Sequence, residues 1–160
     1  MRKPAANSDL SGEQRPSTDT DQAISERTIP TRHAASTSKP RVLVVDDNTD
    51  AANSLGRLLS LLGQEVVVVH TGEAAVAEVR RFRPQLVLLD LGMPGMDGIE
   101  TAERIHAPPE TKETLLVALT GWGHDRDRQR TEAAGFAAHL VKPVQMAQLE
   151  ALLSRLPAPV

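Results

Sequence analysis

Three aspartates, a threonine and a lysine stand out in this 160-residue chain because each closes an apolar run. Asp46 and Asp47 follow RVLVV, Asp90 ends LVLLD, Thr120 ends LVALT and Lys142 follows HLV. Carboxylates brought together repel, so either their pKa values rise or a cation holds them ionised. With oxygen ligands alone, and neither a cysteine nor a histidine pair at ligand spacing, a hard ion such as Mg2+ or Mn2+ suits them better than zinc. Such an ion makes one carboxylate a usable nucleophile toward a phosphoryl group. A flexible lysine offers a point charge to one phosphoryl oxygen, and a hydroxyl donates to another. Asp90 is the favoured nucleophile, being central among the runs and followed by Gly92 and Gly95, which add no bulk. Taken singly, these residues have plainer explanations, since a strand-end aspartate often caps a helix and a Lys-Pro often makes a turn. Occurring together, each at the end of its own run, they point to phosphoryl transfer, which needs mostly positioning and charge stabilisation.

For such side chains to meet, the runs must be neighbouring strands. RVLVVDD, QEVVVVH, RPQLVLLD, TLLVALT and AAHLVK read as five strands, four of them nearly continuous Val/Leu, as in a parallel sheet covered on both faces. Amphipathic pieces separate them. Leu55, Leu58, Leu59 and Leu62 make one helical stripe closed by Gly63, and a second helix covers 73–82 before Pro84. A third starts at Asp97, the charged stretch HDRDRQRTEAAG makes an exposed fourth, and Met146, Leu149, Leu152, Leu153 and Leu156 point inward from the last. Five strand-helix units predict a doubly wound α/β domain, whose ligands bind outside the carboxyl ends of the strands. His70 ends the second strand, which is expected to lie toward the outside.

Bulk properties narrow the classes. A net charge of −3 leaves no basic excess for phosphate backbones, so DNA is not expected as a partner. The lack of cysteine fits a reducing cytoplasm, and no apolar run has the length of a membrane span. Residues 1–40, rich in Ser, Thr and Pro, carry too few large aliphatics to offset the cost of ordering and read as a disordered tail. The alternative for that tail is a docking arm using TIPTRH at 28–33. Residues 41–160 are the folded domain.

The segments RVLVVDDN, LVLLDLGMPGMDG, LVALTG and HLVKPV strongly resemble the receiver domain of bacterial two-component response regulators, over essentially all of 41–156. The resemblance implies a flavodoxin-like sheet of order 2-1-3-4-5 and phosphorylation of Asp90 by a sensor or hybrid histidine kinase, or by a histidine phosphotransfer protein. It implies that Asp47 and Asp90 bind Mg2+ directly, Asp46 mainly through water, and Gly92 through its carbonyl. Thr120, Gly121, Lys142 and Pro143 would surround the phosphoryl group, with the Lys142–Pro143 bond cis.

The chain departs from the pattern at His139, where receivers usually carry Tyr or Phe that moves inward with the threonine. A histidine there is similar to receivers of hybrid kinases, which favours a phosphorelay; the plain alternative is a half-buried imidazole with no switch role. Gly92 and Trp122, each two residues past a site residue, hold positions that tune attack by water in this family. The expectation is a stand-alone phosphoacceptor switch that catalyses only its own phosphorylation and dephosphorylation. The rivals are an aspartate-nucleophile phosphatase, which would carry a DxDx(T/V) motif after its first strand, and a phosphorylation-independent binding module.

Overall fold

Runs of Val and Leu make stable strands where both sheet faces are covered, and the structure places them so. It is a computed structural model that describes residues 39–121 and 125–156, without the side chains of 125–127. Among the described residues the strands are β1 (Arg41–Val45), β2 (Glu65–Val69), β3 (Leu86–Asp90), β4 (Leu115–Thr120) and β5 (Phe136–Val141). They form one parallel sheet of order β2-β1-β3-β4-β5, as expected. Central β3 is wholly buried, while the edge strand β2 is only half-buried.

The connecting helices are α1 (Thr49–Leu61), α2 (Gly72–Phe82), α3 (Gly98–His106), α4 (Asp125–Ala133) and α5 (Met146–Leu153). Asn48, Thr71 and Asp97 cap the first three, each accepting a backbone N–H at 2.9–3.0 Å, worth about 1 kcal/mol apiece. Gly63, at φ 94°, closes α1 as its position suggests. A short 3₁₀ turn at Pro109–Thr111 was not foreshadowed by the sequence pattern.

Alternation along the strands divides the core into two layers. Leu43, Val45, Val87, Leu89 and Ala118 face α2 and α3, with Ala134 and Phe136 completing that layer. Val42, Val44, Leu88, Val117 and Leu119 face Ala52 and Leu59 of α1 and Leu149 and Leu152 of α5. Met146 is a correction: it opens α5 on the solvent side and is 47% exposed, because the first turn projects beyond the sheet-covering stripe of Leu149 and Leu152. Trp122 and the expected tail through residue 38 lie outside the described residues.

The expected α4 is present. Its residues Arg128, Gln129 and Arg130 are exposed, and Thr131 is buried, as is Ala134 just past its end. A register shift between Leu116 and Val117 leaves Ala137 as an extra residue in β5. That bulge sets His139 opposite Ala118, on the face toward α2 and α3.

Candidate functional site

Parallel pairing carries the strand ends to one rim. Val45 lies beside Leu89, and Asp90 beside Leu119, so Asp46, Asp90 and Thr120 leave the sheet from adjacent strands. One carboxylate oxygen from each of Asp46, Asp47 and Asp90 lies within 4.8 Å of the other two. Asp46 and Asp90 are buried and Asp47 is exposed. Lys142 reaches in from beyond β5, its Nζ donating to Asp46 Oδ2 at 2.9 Å and standing 3.4 Å from Asp90 Oδ1. Its backbone N–H donates to the Thr120 carbonyl at 2.7 Å, and the Lys142–Pro143 bond is cis.

Asp46 does not cap a helix. Asn48 caps α1, and the Asn48 N–H in turn donates to Asp46 Oδ1 at 3.0 Å, which leaves the Asp46 carboxylate in the cluster. Burial raises the pKa of Asp90; the Gly92 N–H at 3.2 Å and the Lys142 charge pull it back, Asp46 adds to the rise, and the net shift is upward. For Lys142 burial acts downward, but the hydrogen bond to Asp46 and the charges of Asp90 and Asp46 outweigh it, and its pKa rises. The lysine therefore stays cationic at neutral pH.

Thr120 Oγ1 is buried without a hydrogen-bond partner among the described residues, a costly state for a hydroxyl and one that a phosphoryl oxygen would relieve. Among the described residues the acidic group is the one with three oxygen donors in reach of a single ion, and its all-carboxylate chemistry suits Mg2+. Among the described residues Gly92 and Gly121 leave open space: a Cβ on Gly92 would come no closer than 4.0 Å to Asp90 Oδ1, and one on Gly121 would meet nothing within 4 Å. Gly98 is the opposite case. A Cβ there would lie 2.6 Å from the Asp90 carbonyl oxygen, so glycine lets α3 begin against the acceptor strand.

His139 sits apart from the carboxylates, its Nε2 2.5 Å from Thr131 Oγ1 on α4. The Thr131 hydroxyl donates its one proton to the Arg128 carbonyl at 2.9 Å, so it accepts from His139 Nε2–H. Next to Asp46 and Lys142, an apolar cleft of about 430 Å³ opens between Leu55 and Leu58 of α1 and Val144. Sequence reasoning missed Asn48, Gly98, Thr131 and the contact of His70 Nδ1 with the Asp46 carbonyl at 3.0 Å. Of these only Asn48 and Gly98 carried a local signal, a cap before an amphipathic run and the glycine after Asp97.

Comparison with known proteins gives one family. The response regulator receiver domain matches residues 42–154. The signal transduction histidine-protein kinase BarA of Escherichia coli (strain K12) is 33% identical over 114 residues, covering 71% of this chain and 12% of BarA, so the chain spans about an eighth of that relative. Among solved structures, chemotaxis protein CheY4 of Vibrio cholerae is 28% identical at TM-score 0.71, covering 75% of this chain and 100% of that one. The receiver domain of sensor histidine kinase PA1611 from Pseudomonas aeruginosa PAO1 is 29% identical at TM-score 0.68, covering 74% and 98% of the two chains. That structure has a magnesium ion coordinated in its active site cleft. No helix among the described residues is long and apolar enough to cross a membrane.

Proposed function

The chain belongs to the response regulator receiver domain family of two-component systems, and we propose that it is a Mg2+-dependent phosphoryl-accepting switch with Asp90 as acceptor. The observation that carries this reading is the meeting of Asp90 with the Asp46 and Asp47 carboxylates and the Lys142 ammonium at one rim, beside a buried Thr120 hydroxyl without a partner among the described residues. An Asp90 oxygen attacks the phosphorus of a donor phosphohistidine. The P–N bond breaks with its electron pair returning to the imidazole, and an acyl phosphate forms. Burial raises the basicity of Asp90, which strengthens it as a nucleophile.

Asp47 and Asp90 would hold Mg2+ directly, with the Gly92 carbonyl, and Asp46 through water; the bound ion supplies charge neutralisation at the phosphoryl oxygens. Lys142 pairs with one of those oxygens, and Thr120 donates to another from beside Gly121. Donors are a sensor or hybrid histidine kinase or a histidine phosphotransfer protein, in keeping with relatives such as BarA. The cleft beside α1 receives an apolar side chain of the donor, next to Asp46 and Lys142. Output uses the surface of α4, β5 and α5, where Val141 and Met146 are exposed. The reaction is a single turnover on the protein itself, and the setting is the cytoplasm.

The test is phosphotransfer from a panel of the host's kinases and phosphotransfer domains. Radiolabel should appear rapidly from a cognate donor, require Mg2+ and be lost in Asp90→Asn. Undiminished labelling of Asp90→Asn would overturn the assignment.

A further inference from the structure

We propose that His70 is a positioning residue for the paired acids: its imidazole clamps the peptide that joins Asp46 to Asp47. The proposal rests on the reading of those acids as metal ligands. β1 and β2 pair in register up to Val45 and Val69, and the ladder continues one bond further, with the Asp46 N–H donating to the Val69 carbonyl at 3.2 Å. In a parallel ladder the Asp46 carbonyl would next accept from the backbone two residues past Val69, at Thr71. There the chain has turned to become the N-cap of α2. The donor is instead His70 Nδ1, 3.0 Å from the Asp46 carbonyl oxygen. A carbonyl only accepts, so the proton is on Nδ1.

That bond acts on the metal site through covalent geometry. The Asp46 carbonyl and the Asp47 nitrogen share one rigid plane, so holding the oxygen fixes the direction in which the chain carries Asp47. Asp46 needs no further help. Its side chain is buried and already held by Lys142 and the Asn48 N–H. Asp47 is exposed, and the peptide plane before it is the part of its placement that His70 controls. Preorganising a ligand lowers the entropy lost when the ion binds.

The experiment uses the full chain and MgCl2 as probe, comparing His70→Phe, which keeps a ring and removes the donor, with His70→Asn, whose amide nitrogen stands where Nδ1 stood. Calorimetric titration should show Mg2+ binding weakened about tenfold in His70→Phe and restored toward wild type in His70→Asn. Without any metal, exchange of the Asn48 amide hydrogen, held by Asp46 Oδ1, should quicken in His70→Phe and not in His70→Asn. Wild-type affinity in His70→Phe, or equal losses in the two variants, would overturn the clamp. Asp47→Asn is the control for the underlying reading. If it binds Mg2+ as wild type does, the ligand assignment fails and the proposal with it; if it loses binding while His70→Phe does not, the clamp alone fails.

Discussion

Lys142 and Asp46 meet at 2.9 Å across 96 residues of chain, and the same ammonium stands 3.4 Å from Asp90 Oδ1. The lysine is thus the resident cation of a carboxylate cluster, in place to repel a divalent ion and attract a phosphoryl group. Lys142→Met is expected to move the two functions in opposite directions. Mg2+ binding should tighten about tenfold, a change of about 1.4 kcal/mol. Phosphorylation from a small nitrogen-linked donor such as phosphoramidate should slow about 100-fold, the scale on which a transition-state charge contact matters. Calorimetry and initial labelling rates measure the two. Equal weakening of both would show that the lysine acts only by holding the loops together.

Asp90 titrates in the sense set mainly by its burial. Its folded pKa lies above 3.8, so the stability it contributes is fully present below that pH and is lost as pH rises through the raised folded value. At neutral pH the ionised carboxylate is a net cost. Asp90→Asn, which never ionises, should therefore melt at a higher temperature than wild type at pH 7 without divalent ions. The gap should shrink as pH falls through the raised value and close below 3.8. Added Mg2+ should raise the wild-type Tm and leave that of the variant nearly unmoved. Melts across pH 3.5 to 8, roughly the span of carboxylate titration, check this, and a gap independent of pH would contradict it.

Thr120 presents the same trade in a neutral group. Its hydroxyl is buried with no partner among the described residues, so Thr120→Val removes an unmet polar atom while keeping the β-branched shape that suits a strand. The variant should be more stable by about 1–2 kcal/mol in urea. It should also lose affinity for the phosphoryl mimic beryllofluoride, with Thr120→Ser keeping most of it. A Thr120→Val chain that is less stable than wild type would mean that the hydroxyl has a partner in solution.

The fold and the rim were readable because a buried parallel strand writes itself as a continuous apolar run, and its last polar residue marks the carboxyl end. Asp46, Asp90, Thr120 and Lys142 could be brought together on that basis alone. What escaped depends on residues distant in sequence or on single-residue irregularities. Nothing near His70 says that its ring would reach the Asp46 carbonyl, 24 positions earlier. The extra residue Ala137 is invisible in AAHLVK, yet it decides which face His139 occupies. Met146 fell in phase with the leucines that follow it, but periodicity does not say where the sheet ends beneath a helix.

With Ala137 bulged, His139 faces α4 and donates from Nε2 to Thr131 Oγ1, a residue with no exposed surface. The bond fastens α4 to β5 opposite Ala118, two residues before Thr120, on the surface proposed for output. Thr131→Val takes this acceptor from Nε2–H and should cost about 1–2 kcal/mol. His139→Phe removes the donor, and in that background Thr131→Val should cost about 1 kcal/mol less, the coupling expected of a direct bond. Urea unfolding of the four chains gives the cycle. Additive effects would show that the two side chains merely pack.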